Sequence, residues 1–378
     1  MPHTDKHILT IAYDAKRAYL NYRGLGNYSR TLLSQMAQYY GENRYLLCTP
    51  QDSNLYPWLN QSPYERILPH GLWRLSPSIW RRFGIPASLH AKPIDIYHGL
   101  SQELPEGIER LGCRTVVTMH DAIFMRYPDL YSPTYRFSFI RRNVSACRRA
   151  DLCIAISEQT KRDYMDFFGV ESQRIRVVYQ GCNDIFWHPI SLEQQQKARL
   201  SYGLPSSYVL CVGALEERKN QLRLIKALAS ASVDMPLVLV GKGSPQYVQV
   251  LVRAAKHYGV PLLIISNARV EDMPSIYRCS SIFAYPSLFE GFGIPILEAA
   301  RCAVPIVAST GTCFEEIAGE GALYASPTHP DAIGEAIRTT LQDTDATYSR
   351  IKLALSNTEK FRANRIAQAM MNTYQSLI

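Results

Sequence analysis

The chain has 378 residues, 47% hydrophobic and 20% charged, which describes an ordinary soluble globular protein with enough material for two cores. Its net charge of +8 is uneven, with 23 basic and 17 acidic residues in positions 1–190 against 18 and 16 in 191–378. No run of about 18 apolar residues is present to span a membrane, and nucleic-acid motifs are absent, which leaves an anionic membrane surface or a phosphorylated substrate to account for the basic half. Nine cysteines with no CxxC pair, and no N-terminal signal pattern, predict reduced core thiols and a cytoplasmic location.

Strands and helices alternate from the start. Lys6-His-Ile-Leu-Thr-Ile-Ala-Tyr-Asp14 is an apolar run of the kind buried in a parallel sheet. A loop from Asn21 to Arg30 carries Gly24 and Gly26 and leads into a helix from Thr31 to Tyr40. Gly-x-Gly before a helix can admit a phosphate, although it lacks the full dinucleotide fingerprint and also suits a generic tight turn. A second strand begins at Tyr45. The region Tyr56 to Leu89 then interleaves aromatic residues and arginines, in Leu72-Trp73-Arg74-Leu75 and Ile79-Trp80-Arg81-Arg82-Phe83, and Tyr135 to Arg149 does so again. That pattern suits a headgroup boundary or a stacked sugar. The plainer reading is a helix with a core face and solvated arginines.

Between these segments lie Asp95-Ile-Tyr-His98-Gly99 and the strand Thr115–Met119, which ends in His120-Asp121. A histidine just past the carboxyl end of a parallel strand faces the crevice where such sheets bind ligands. His98 and His120 are both candidates on that ground, although a lone histidine is more often structural. A strand from Ala150 ends at Ser157, which caps a helix reaching Phe168. The last strand of this half, Arg174–Gly181, gives way around Cys182–Pro189 to a segment without periodicity, the expected linker.

The second half opens with a helix, Glu193–Tyr202, and a strand, Tyr208–Gly213, followed by Arg218-Lys219-Asn220 and a helix from Gln221. Two cations at the carboxyl end of a strand can neutralise a diphosphate as it leaves. Leu237-Val-Leu-Val-Gly241-Lys242-Gly243 is a further strand ending in glycines, Leu262–Asn267 is the next, and Asp272–Cys279 is a short helix. Ser281-Ile-Phe-Ala-Tyr-Pro286 is a buried strand stopped by proline. After it, Gly291 and Gly293 form a turn, Pro295 suits a first helical turn, and the helix N-terminus offers unpaired N–H groups to an anion. Two carboxylates flank that position: Glu290 in the turn and Glu298 on the helix. One can stabilise positive charge near a reacting carbon, and the other can hold a diol by paired hydrogen bonds. Val304–Ser309 is another strand, and helices follow from Asp331 to Leu341 and from Tyr348 to the end.

The motif Glu290-Gly-Phe-Gly-Ile-Pro-Ile-Leu-Glu298, with seven residues between its glutamates, continues into Glu298-Ala-Ala-Arg-Cys-Ala-Val-Pro-Ile-Val-Ala-Ser309 and Glu316-Ile-Ala-Gly-Glu-Gly-Ala-Leu323. It resembles the retaining glycosyltransferases of the GT-B fold in family 4, the glycosyl transferases group 1, and among them the bacterial polysaccharide mannosyltransferases. The His120-Asp121 and Arg218-Lys219-Asn220 segments carry the same resemblance. It implies two doubly wound, Rossmann-like α/β domains facing across a cleft. Residues 1–188 would take the acceptor and 189–360 the nucleotide-sugar donor, and a helix over 361–378 would cross back to the first domain.

The implied roles follow position by position. Arg218 and Lys219 would stabilise the leaving diphosphate, and the loop Gly291, Phe292, Gly293 and Ile294 would cradle it. Glu298 would hold the ribose, and Val270 would sit where the nucleobase is received. Glu290 and His120 would contact the transferred sugar, His120 as a donor or through its carbonyl, and Gly24 and Gly26 would approach the diphosphate or the acceptor. The implied donor is GDP-mannose, and the acceptor a saccharide or lipid-linked saccharide at the inner face of a membrane, touched peripherally. Neither a metal nor a cofactor is expected, because the cationic pair supplies the charge.

The chain departs from the family at Ala303, where glycine is common. It also has Ala214 where some members carry an extra arginine. Alternatives are a sugar-nucleotide epimerase of the same fold and a non-catalytic carbohydrate or membrane adaptor; the chain's length disfavours a PLP-dependent phosphorylase.

Overall fold

The computed structural model describes residues 8–22 and 24–378. The expected strand start at Lys6 and the loop residue Arg23 lie outside them. Two compact units are formed, one by the chain up to Gln180 together with Arg362–Ile378, the other by Gly181–Phe361.

The first unit is a seven-stranded parallel sheet with the order β3-β2-β1-β4-β5-β6-β7. Its strands are β1 (Thr10–Asp14), β2 (Arg44–Cys48), β3 (Tyr64–Ile67), β4 (Ile96–Gly99), β5 (Arg114–Met119), β6 (Leu152–Ala155) and β7 (Ile175–Val177). The central strands are apolar at successive positions because helices cover both faces of the sheet. Ala12, Tyr97, Val117 and Cys153 lie in its core. Strand order reverses between β1 and β4, which pair in the register Tyr13↔His98. In doubly wound sheets, ligands bind in the crevice at the carboxyl ends of such a pair.

The second unit repeats the plan with six parallel strands in the order β10-β9-β8-β11-β12-β13. They are β8 (Val209–Val212), β9 (Leu237–Val240), β10 (Leu262–Ile265), β11 (Ile282–Tyr285), β12 (Ile306–Ser309) and β13 (Leu323–Ala325). Here the reversal falls between β8 and β11. The cationic pair follows the first of these strands and the glutamate motif follows the second.

Several boundaries differ from expectation for physical reasons. The linker segment belongs to the second unit: Phe186 packs edge-on to Tyr277, 5.8 Å between centroids, and Arg301 lies 4.0 Å over Trp187. The break therefore falls after Gln180 rather than at residue 188. β3 was hidden among prolines and aromatics and forms an edge strand. The final helix is Ala363–Gln375, preceded by a separate helix Thr344–Asn357. It packs on the first unit, where the Tyr374 hydroxyl meets His98 Nδ1 at 2.7 Å and Tyr13 at 3.1 Å. In the arginine-aromatic segment, Trp80 is fully buried and Trp73 packs against the core, whereas Leu72 and Leu75 are 85% and 83% exposed.

Ala303 accounts for the family's glycine. It ends the helix Ile294–Arg301 with φ 52, while its own N–H bonds the Ala300 carbonyl at 3.0 Å and Val304 N–H bonds the Ala299 carbonyl at 3.1 Å. This paired closure needs a left-handed residue, which costs a side chain about 1 kcal/mol that glycine does not incur. Ala303→Gly is expected to stabilise the protein by about 1 kcal/mol, read as a melting shift of roughly 2–4 °C. An unchanged or lowered melting temperature would refute this account of the turn.

Candidate functional site

In the second unit the site is built from backbone upward. β8 is followed by Gly213 with φ 141 and β9 by Gly241 with φ 154. A Cβ on Gly241 would stand 1.9 Å from the Gly213 carbonyl oxygen, so the two exits from the sheet stack backbone on backbone. A turn over Glu217–Lys219 follows, and Asn220 closes it in the left-handed region at φ 65, which asparagine tolerates better than most residues. Its side-chain amide donates to the carbonyls of Pro286 and Pro327, each at 2.8 Å. Asn220 thereby fixes the cationic turn against the end of β11.

Arg218, Lys219 and Glu290 are brought together there. Arg218 donates to the Phe289 carbonyl at 3.0 Å, pairs with Glu216 at 2.7 Å and reaches Glu290 at 2.8 Å. The Lys219 ammonium lies 2.6 Å from the same Glu290 oxygen and donates to the Tyr285 hydroxyl at 2.8 Å. An ammonium has three donors, and these contacts use two. The Glu290 side chain is only 12% exposed. Burial pushes its carboxyl up, but Lys219 and Arg218 outweigh burial and hold it at about 2. Glu290 is therefore a carboxylate at any working pH.

The second glutamate is tuned the other way. Glu298 lies on the helix Ile294–Arg301 and accepts from the Tyr277 hydroxyl at 2.7 Å. Burial raises its carboxyl to about 7, with the Tyr277 bond opposing. Two carboxylates eight positions apart thus sit on opposite sides of neutrality, because one faces two cations and the other a single phenol. Between them Gly293, with φ 113, caps the helix. A Cβ on it would meet Phe314 at 2.9 Å. The Cys313 thiol donates to the Phe292 carbonyl at 2.5 Å and bonds the Glu290 carbonyl at 3.3 Å, so a buried thiol shapes the loop. Val270 is exposed in a turn of its own, over Val270–Asp272, which Tyr202 anchors through Asp272 at 2.7 Å.

The first unit corrects two expectations. Gly24 and Gly26 are not in a loop, because α2 spans Gly24–Tyr39 and both lie in its first turn. A Cβ on Gly26 would stand 1.8 Å from the Asn21 carbonyl oxygen, so that glycine allows α2 to pack on the chain just ahead of it, while Gly24 is open.

His120, at the end of β5, places Nε2 2.8 Å from the Leu100 carbonyl, and Tyr28 stands edge-on to its ring at 4.7 Å. A carbonyl only accepts, so the proton is on Nε2. Burial lowers the imidazole to about 4, the Leu100 carbonyl opposing and Arg17 adding to the drop, which leaves Nδ1 an acceptor at neutral pH. The donor role expected of the His120 side chain is thus taken by a protein carbonyl. His98 is fully buried, with Nε2 2.8 Å from Thr118 Oγ1, and ties β4 to β5 and the final helix.

Sequence reasoning missed Tyr285, Tyr277, Asn220 and Cys313. Only the alternation of β11, which turns Tyr285 and Phe283 to one face, gave a signal. Among the described residues no group of three or more histidines, cysteines or acids is placed to hold a metal, and no helix is long and apolar enough to cross a membrane.

Comparison with known proteins places this arrangement. Residues 22–184 match the model for Glycosyltransferase Family 4, and residues 194–355 match that for Glycosyl transferases group 1. The chain is 30% identical over 294 residues to the O-antigen chain mannosyltransferase B of Escherichia coli, covering 75% of this chain and 74% of that protein. It is 26% identical over 233 residues to the O-antigen chain mannosyltransferase RfbU of Salmonella typhimurium, covering 61% and 62%. The crystal structure of Anabaena HepE in complex with UDP and glucose superposes with a TM-score of 0.76 at 22% identity, over 98% of this chain and all of that one. A glycosyltransferase involved in lipopolysaccharide biosynthesis, WaaG, gives 0.70 at 17% identity over 96% of this chain and 99% of that one. With two parallel sheets, a cationic turn and a paired-glutamate motif at the switch point of the second, the chain belongs to the family 4, group 1 glycosyltransferases and has the GT-B fold.

Proposed function

We propose that the protein transfers mannose from GDP-mannose to a saccharide or lipid-linked saccharide acceptor in the assembly of a cell-surface polysaccharide, with retention of anomeric configuration. The observation that carries the reading is the convergence of Arg218 and Lys219 on Glu290 at the carboxyl edge of β8 and β11. The names of the Escherichia coli and Salmonella relatives support mannose and a polysaccharide product.

In this reading the second unit holds the donor. Arg218 and the third donor of Lys219 take the diphosphate, and the N-terminus of the helix Ile294–Arg301 adds the positive end of its dipole. Glu298, as a carboxylate, accepts from the ribose hydroxyls. Charge that develops on the diphosphate as the glycosidic bond breaks meets fixed cations, so no metal is needed for it.

Glu290 supplies negative charge beside the sugar. Its Oε1 is already engaged by two cations and by the Tyr285 hydroxyl at 3.3 Å. A carboxylate so occupied is a poor nucleophile, which favours electrostatic support of same-face attack over a covalent intermediate. In the first unit, the reading assigns His120 Nδ1 to accept from a sugar hydroxyl, which its neutral ring supports. The exposed Leu72 and Leu75 beside Arg74 favour a lipid-linked acceptor, which sedimentation with anionic vesicles tests.

Thermal shift across nucleoside diphosphate sugars tests the donor assignment. GDP-mannose should raise the melting temperature more than UDP-glucose does, by the linkage of binding to stability. A larger shift with UDP-glucose would overturn the GDP-mannose assignment, and no shift with any donor would overturn the donor site.

A further inference from the structure

We infer that the carboxyl edge of β1 and β4 in the first unit is a subsite for a phosphoryl group on the acceptor, held by Lys16 and Arg17. This rests on the transferase reading above, which makes the first unit the acceptor side. The register Tyr13↔His98 brings Asp14–Arg17 and Gly99–Glu103 out of the sheet side by side, at the point where strand order reverses. β5 pairs next to β4, and His120 follows it at the same edge.

The charges at this edge do not balance. Asp14 and Glu103 are the carboxylates on the β1 and β4 exits, and Arg81 takes both, standing 2.6 Å from Asp14. Arg142 takes Glu103 as well, at 2.6 Å. Lys16 and Arg17, on α1 (Lys16–Leu20), have no ion pair among the described residues, and both are half-buried. Burial and the neighbouring Arg81 and Arg17 depress the Lys16 ammonium, with Asp14 and Glu103 opposing. Two consecutive half-buried cations, beside carboxylates already paired with Arg81 and Arg142, are costly unless a ligand supplies a further anion.

Two further donors are waiting there. Arg17 Nε and Ser101 Oγ are buried without a hydrogen-bond partner, and Ser101 as a whole is 5% exposed. The Arg17 charge also acts on the His120 ring, the residue that the reading above assigns to the sugar. Because the donor diphosphate has Arg218 and Lys219 in the other unit, a second cationic pair implies a second anion. A sugar phosphate or a lipid diphosphate sugar has the required chemistry.

Calorimetry on the full chain tests this, with inorganic pyrophosphate as the probe after saturation with GDP. Wild type should bind pyrophosphate in a second, saturable event. Lys16→Met and Arg17→Met should each weaken that event at least tenfold with circular dichroism and GDP binding unchanged, whereas Lys219→Met should keep it. Loss of pyrophosphate binding once GDP is bound would assign the anion to the donor and overturn the proposal. So would equal binding by wild type and both variants. Absence of GDP binding would count against the transferase reading alone, because dependence of pyrophosphate binding on Lys16 and Arg17 can be read without nucleotide.

Discussion

Glu290→Gln is expected to bind GDP about tenfold more tightly than wild type while losing turnover by a factor of roughly 10²–10³. In the free protein the carboxylate lies within 2.8 Å of both cations that the proposed reaction assigns to the diphosphate, and its charge would repel that group. Glutamine keeps the shape and removes both effects. It also leaves Arg218 and Lys219 facing each other half-buried, with only Glu216 to compensate. Breaking such a pair costs about 3 kcal/mol, so the ligand-free variant should melt early and be rescued by GDP more than wild type is. Weaker GDP binding would show that Glu290 helps to hold the nucleotide, and retained turnover would remove it from the chemistry.

Glu298 gives the second large effect, through pH. Its folded value near 7 lies above the 4.5 of a free carboxyl. Between those two values the folded state holds a proton that the unfolded state has lost, so stability is fully present below 4.5 and falls as pH rises through 7. The full loss is about 3 kcal/mol. Ribose hydroxyls need the charged form as acceptor, so nucleotide affinity should rise over the same range in which the free protein loses stability. Glu298→Gln removes both trends: it should melt higher than wild type at pH 8 and bind GDP with little pH dependence between 6 and 8. A wild-type pH slope that persists in the glutamine variant would assign the titration to another group.

The fold was legible because apolar runs and glycine-ended strands alternate along the chain, and a parallel sheet leaves few other solutions. The meeting of Arg218 and Lys219 with Glu290 follows from the adjacency of β8 and β11, which no local pattern states. It became readable only when the motif around Glu290 was set beside the cationic turn. What the sequence could not show depends on burial and on backbone contacts from distant segments. Glu298 looks like any helical glutamate until its surroundings prove dry. Asn220 looks like the residue after a basic pair until its amide bridges Pro286 and Pro327. Gly26 reads as a flexible turn, yet its lack of a side chain lets α2 touch Asn21. Lys16 and Arg17 belong to no motif, and it is the pairing of Asp14 and Glu103 with Arg81 that leaves them without an ion pair among the described residues.

The central claim is that the cationic turn after β8 holds the donor diphosphate. Isothermal titration of GDP into wild type and Lys219→Met, at one salt concentration and with matched circular dichroism, tests it most directly. Loss of a charge-assisted contact predicts a Kd weaker by about 100-fold. Equal Kd values for the two proteins would contradict it.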